Sequence, residues 1–410
     1  MSAHDPVPGL DNDIRILRYG SLAEALLANG HEVVFWTSTF AHWRKKARYE
    51  KDTTVEVSQN LTAEFVFAPP YISNVSIGRV LHNRGLARGF RRKVDSITAK
   101  PDLIIAEIPC LELAEAASLY ARSNGIPFVC DIQDIWPEVY LTLLPNFLRG
   151  VGRRLIWPEF NRLRRILRGA SGVTAVSQSY LNWSQRWMDR DIGKNDSVFP
   201  LGYERPNEKV CAEARVLQEA FFERLEISHD CMLVTFLGQL ATSYDIETIV
   251  DAARILQEND KLPDHKIILA GDGDKYYAIR RRAVGLSNIV FTGWLRHTET
   301  ICLLGASYIG LAAYSDRAAQ SLPYKPFEYM AFGLPVVNSL SGELEKIIEE
   351  RKVGINYRTS SPQSLSSAIA RLLTDRSLRD TMSSNARVVF EESFTSKAIY
   401  SKMAKYLVEH

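Results

Sequence analysis

The sequence is short of the features that mark several classes of protein. It holds five cysteines in 410 residues, Cys110, Cys130, Cys211, Cys231 and Cys302, an odd number with no CxxC spacing and mostly inside apolar runs. That scatter argues against a disulfide framework or a cysteine metal site and leaves reduced packing residues. No apolar run reaches the roughly 20 residues that span a bilayer. The opening MSAHDPVPGLDND lacks the basic start and apolar segment of a secretory leader, so a cytoplasmic location is expected. There is no low-complexity segment and no readable fixed-length repeat. No DNA- or RNA-binding motif is found, and nucleic acid is not an expected partner.

What is present reads as a soluble globular protein, with 46% hydrophobic and 24% charged residues. The length suits two domains of about 200 residues each. Apolar, β-favouring runs recur with helix-length segments between them. In the first half they are His31–Ser38, Ala63–Ala68, Asp102–Pro109, Pro127–Asp131 and Gly172–Ser177, with a helix over Ile14–Asn29 ending at Gly30. After Pro200 and Gly202 a second series starts at Cys231–Gly238, His265–Gly271, Asn288–Gly293, Tyr308–Tyr314 and Leu334–Ser339. This βα alternation predicts two doubly wound α/β domains that divide near residue 200. The expected first strand of the first domain is short or missing, because the chain enters a Pro and Gly loop by Pro6.

The most informative stretch is SYIGLAAYSDRAAQSLPYKPFEYMAFGLPVVNSLSGELEKIIEE, Ser307 to Glu350. A strand, a polar loop over Asp316–Gln320, a short helix over Pro323–Phe332 closed by Gly333 and a further strand follow one another. Lys325 and Glu328 stand three apart on one helix face. Ligands in open α/β sheets sit beyond the carboxyl ends of the strands, where helix N-termini offer N–H groups to phosphate. Phosphate near Lys325 and hydroxyls bonded to Glu328 are the chemistry this layout suggests.

EYMAFGLPVV followed by GEL resembles the nucleotide-sugar signature of family-four (group 1) retaining glycosyltransferases. The resemblance implies the GT-B fold, two facing Rossmann-like domains, over nearly the whole chain. It implies an acceptor domain over 1–200, a nucleotide-sugar domain over 201–392 and a final helix, 393–410, returning to the first domain. Of that family's two glutamates eight positions apart, the second, which binds the donor ribose, falls on Glu328. The slot of the first holds Gln320, which can still bond a sugar hydroxyl but carries no charge. Ser321 and Leu322, which follow it, join the implied donor set.

The loop in FLGQLATSYDIETIVDAA resembles the place where many members put an Arg and a Lys on the donor diphosphate. Here those slots hold Gln239, next to Gly238, and Tyr244. Arg317 and Lys325 then become the candidates for the phosphates, with Arg317 alternatively a solvated loop charge. AGDGD supplies Gly271 at a tight turn. The resemblance implies that the backbone just after the strand in FTGWL holds the nucleobase, which makes Trp294 and Leu295 base candidates, with packing as the other role for Trp294.

In the first half, DIQDIWPE resembles the DxRDxWPE-type segment of enzymes that build bacterial O-antigen, capsule and exopolysaccharide chains. Gln133 occupies the place of a histidine, so Asp134 and Glu138 are the titratable catalytic candidates, with helix capping as their alternative role. Two basic segments, 75–93 and 149–168, carry six Lys or Arg and seven Arg, among apolar residues such as Ile77, Val80, Leu81, Leu86 and Phe90. They predict peripheral contact with an anionic inner membrane face or an acidic lipid-linked acceptor.

The resulting expectation is transfer of a hexose or amino sugar from a nucleoside diphosphate sugar, UDP-linked, to a lipid-linked or glycan acceptor, without a metal or other cofactor. A catalytically silent glycan-binding scaffold subunit and a nucleotide-sugar epimerase of the same fold are the alternatives.

Overall fold

Sheet formation in the amino-terminal unit starts from the chain's first residues. The computed structural model describes residues 1–409 apart from 12, 13, 74, 75, 98, 143 and 229. The Ser2 N–H donates to the Trp36 carbonyl at 3.1 Å, and the Met1 carbonyl accepts from the Glu107 N–H at 3.4 Å. Met1 and Ser2 therefore join the strand Val33–Ser38 on one side to Ile104–Ile108 on the other. This is the position where the sequence leaves the first strand short.

Beyond Val33–Ser38 lie Leu61–Val66, parallel to it, and Thr53–Ser58, antiparallel. Beyond Ile104–Ile108 run Phe128–Ile132, Gly172–Ala175 and Asp196–Val198, all parallel. Thr53–Ser58 was not anticipated, because its alternating exposed and half-buried residues are those of an edge strand. Arg18, at the start of the helix Arg18–Ala28, is fully buried and donates twice to Asp131 at 2.8 Å and once to the Phe199 carbonyl at 2.7 Å. Burying this pair is tolerable because the Thr174 hydroxyl also donates to Asp131, at 2.6 Å. Asp131 is thus a structural anchor.

The chain divides into two units, Met1–Leu201 with Ser396–His410, and Gly202–Thr395. Helix Ser396–Glu409 packs Ile399, Tyr400 and Met403 against Leu22, Val129 and Phe199 of the first unit. Position 410, included in the expected final helix, lies outside the described residues.

The second unit is built on a parallel sheet of six described strands. Their spatial order is Ile289–Gly293, His265–Ala270, Met232–Leu237, Ser307–Ala312, Val336–Asn338 and Gly354–Asn356. In chain order this is 3-2-1-4-5-6, the doubly wound arrangement, so the winding reverses between Met232–Leu237 and Ser307–Ala312. The strands read as continuous apolar runs because helices cover both faces, and Val234, Phe236, Ile267, Leu269, Ile309 and Leu311 are inaccessible to solvent.

Candidate active site

The reversal point of the second unit is pinned by one side chain. Tyr329 donates its hydroxyl to the Leu311 carbonyl at 3.2 Å and accepts the Leu237 N–H at 2.9 Å. It thereby holds the helix Tyr324–Ala331 across the ends of the two strands where the order switches. Pro323 caps this helix and Gly333, at φ +71°, ends it. One turn before Tyr329 sits Lys325, and beside it Glu328.

Lys325 is laid inward. Its Nζ lies 3.6 Å from the centroid of the Tyr244 ring and 5.5 Å from that of Phe236. It fits there because Gly238 has no side chain: a Cβ at that position would come within 2.5 Å of the ammonium. Burial pulls the Lys325 pKa down to about 7, partly offset by Glu328.

The loops after the first three strands interlock. The Gly238 N–H donates to the Ala270 carbonyl at 2.8 Å and the Leu240 N–H to that of Asp272 at 2.9 Å. A Cβ on Gly271 would fall 1.9 Å from the Gly238 oxygen, so only glycine allows this approach. These bonds hold the two loops together at the carboxyl edge, close to the Lys325 ammonium.

Of the other predicted donor residues, Gln239 and Arg317 are exposed, and Ser321 and Leu322 are buried ahead of the helix. Ser321 donates to Glu343 at 3.3 Å. The Gln320 Oε1 atom is buried with no hydrogen-bond partner, an acceptor left open at the slot where the family carries glutamate. Leu295 is core, whereas Trp294 is 80% exposed, so the packing role considered for Trp294 fails and its ring stands free at the strand end. Tyr244 and Tyr329 were missed. Nothing in an isolated tyrosine signals that it will hold a cation or pin a helix.

In the first unit, Asp134 follows the carboxyl end of Phe128–Ile132, and burial raises its pKa to about 6 against the Ile135 N–H that donates to it at 2.8 Å. Gln133 donates to Glu107 at 3.1 Å. Glu138 differs from Asp134 in its side-chain partners. Its two oxygens accept from Trp183 Nε1 at 2.5 Å and Arg153 at 3.2 Å, which ties it to the fold.

The basic segments also differ from the expectation. Leu86 and Phe90 are buried in the core, because helix Ile77–Val94 packs that face on the sheet and on helix Leu111–Asn124. Position 75, the first of that segment, lies outside the described residues. Arg92 and Lys93 pair with Asp52 and Glu64, and Arg162 and Arg165 with Glu115. Ile77 and Leu81 of the same helix stay exposed, and further exposed apolar residues lie around the short helix Arg149–Leu155, where Phe147 is 81% and Leu155 77% accessible beside Arg149 and Arg154.

Two family models match, Glycosyltransferase Family 4 over residues 19–191 and Glycosyl transferases group 1 over 218–389, and between them they span most of the chain. The chain belongs to the group 1 glycosyltransferases. It is 26% identical over 184 residues to an uncharacterized glycosyltransferase of Methanocaldococcus jannaschii, covering 43% of this chain. Over 293 residues, 70% of this chain, it is 24% identical to alpha-D-kanosaminyltransferase of Streptomyces kanamyceticus. The matches span 44% and 71% of those relatives' own lengths.

Among solved structures, sucrose-phosphate synthase from Thermosynechococcus elongatus superposes with a TM-score of 0.71 at 19% identity, over 95% of this chain and 92% of that one. Anabaena HepE in complex with UDP superposes with a TM-score of 0.65 at 16% identity, over 95% and 96%. The fold of this group 1 member is GT-B. Among the described residues, no helix is long and apolar enough to cross a membrane, and no group of three or more His, Cys, Asp or Glu is placed to hold a metal ion.

Proposed function

We propose that the chain transfers a hexose or amino sugar from UDP to a lipid-linked or polysaccharide acceptor of a cell-surface glycan, retaining the anomeric configuration. The observation that carries this reading is the buried Lys325 ammonium, seated over Gly238 at the switch point of the sheet with Glu328 on the same helix. A diphosphate bound there would replace the water that Lys325 has already lost, so the charge pairing is strong. Glu328 accepts from the ribose hydroxyls, Gln320 Oε1 from a sugar hydroxyl, and the backbone at Trp294 and Leu295 meets the base. In the reaction the anomeric carbon–oxygen bond to the β-phosphate breaks, a bond to the acceptor oxygen forms on the same face, and the hydroxyl proton passes to the departing UDP. The UDP seen with HepE supports the nucleotide assignment.

The first unit is assigned the acceptor, with Asp134 as its titratable group. Peripheral attachment at the inner face of the membrane is supported by Phe147, Val151, Leu155 and Trp157, which expose apolar surface among arginines. Gln320 in a glutamate slot favours one second reading, a catalytically silent subunit. Incubation with a panel of nucleotide sugars and membrane extract separates the two. UDP release that depends on the extract supports transfer, and no release from any donor supports the silent subunit.

A further inference from the structure

Three histidines that stand 38 and 40 residues apart in the sequence, His4, His42 and His82, meet in the first unit. The rings of His4 and His42 lie 4.7 Å apart and those of His4 and His82 6.5 Å apart. Tyr71 bonds His42 Nδ1 through its hydroxyl at 2.5 Å, and Lys45 Nζ approaches the same nitrogen at 3.4 Å. Arg79 reaches His4 Nε2 at 3.3 Å and lies over the Trp136 ring.

The place is the one where an open sheet binds ligands. His4 follows the short first-strand segment, His42 follows Val33–Ser38, Tyr71 follows Leu61–Val66 and Asp134 follows Phe128–Ile132, all at carboxyl ends. Arg79 and His82 project from the helix Ile77–Val94. The cluster is built but incompletely bonded. His82 is fully buried, and with Nδ1 on the Pro69 carbonyl at 2.8 Å its Nε2 has no partner. His4 Nδ1 is likewise buried and unmatched. Leaving two imidazole nitrogens of one cluster unbonded is costly unless a ligand completes them.

We infer that this cluster is a phosphoryl-binding site and that the acceptor carries a phosphate or pyrophosphate group seated on Arg79, Lys45 and the three imidazoles. Two cationic side chains, a tyrosine hydroxyl and imidazoles able to turn a proton outward make a donor-rich surface suited to an oxyanion. Burial, reinforced by Arg79 and Lys45, holds His42 and His82 down at about 4, so the rings are neutral until an anion arrives. The inference rests on the acceptor assignment of the first unit.

The test uses the full chain carrying Lys325→Gln, with pyrophosphate or inorganic phosphate as the probe, so that the donor site does not compete. Histidine imidazole NMR signals, assigned with His42→Asn and His82→Gln, are followed during the titration. The signals of His4, His42 and His82 should shift together, and Arg79→Gln should weaken binding at least ~10-fold. Lys45→Asn, at an exposed position that tolerates positive φ, should weaken it several-fold and decides the matter if Arg79→Gln does not fold. Unmoved imidazole signals, or binding indifferent to both substitutions, would overturn the site. Phosphatidylglycerol vesicles form the second arm. The same shifts there identify a lipid headgroup as the source, and shifts with the soluble probes alone identify a phosphorylated acceptor. UDP affinity of the unsubstituted chain is measured separately, and its absence would sink the donor reading while this titration still stands.

Discussion

The ammonium of Lys325 lies 3.6 Å from the centre of the Tyr244 ring. Tyr244 stands where many family members carry a lysine for the diphosphate, and here it cradles a lysine arriving from another element. Burying that charge costs the fold.

Lys325→Met should therefore stabilise the chain while removing diphosphate affinity. With its pKa lowered to about 7 by burial from an ordinary 10.5, Lys325 carries the full cost below pH 7. The cost fades as pH rises from 7 to 10.5, where the native state gives up its proton before the unfolded one does. At pH 7 the variant should melt a few degrees higher, for about 1 kcal/mol or more, and the gap should narrow toward pH 10. Calorimetry should show UDP affinity lost and uridine affinity kept. Equal losses for both ligands would count against the phosphate role.

Gly238→Ala tests the same seat from the other side. Its φ of +146° is strained for alanine, by about 1–3 kcal/mol, and the new methyl displaces the ammonium. A lower melting temperature with weakened UDP binding is expected. Unchanged UDP binding in the folded variant would place the phosphates elsewhere.

Membrane contact should depend on the exposed apolar residues more than on the paired arginines. Cosedimentation with anionic vesicles should weaken in high salt, since surface attraction is screened over about 8 Å at physiological strength. Joint replacement of Phe147, Val151 and Leu155 by Ser should weaken it at any salt. A triple variant that binds like the parent would leave this surface solvated.

On the proposed reading Lys325 meets the leaving charge, so transfer should survive chelation. Assays with and without EDTA check this. Complete loss that magnesium restores would contradict it.

Much of the second unit was legible in the sequence. Buried parallel strands declare themselves as apolar runs, and the Lys325–Glu328 spacing survives folding because it belongs to one helix. What could not be read was the meeting of residues from different elements. His4, His42 and His82 lie 38 and 40 residues apart, and only the alignment of strand ends brings them together. Glu138 looked as available as Asp134 until Trp183 and Arg153 were seen to hold it. Leu86 and Phe90 fitted a surface stripe because helical spacing marks an apolar face without saying whether core or solvent covers it.

The most direct measurement of the central claim is UDP binding by the Glu328→Ala chain, read by calorimetry beside the unsubstituted chain. Loss of a charged hydrogen bond to a ribose hydroxyl should cost about 1.5–3 kcal/mol, a fall of roughly 10- to 150-fold in affinity. Unchanged UDP affinity in a folded Glu328→Ala protein would contradict the account.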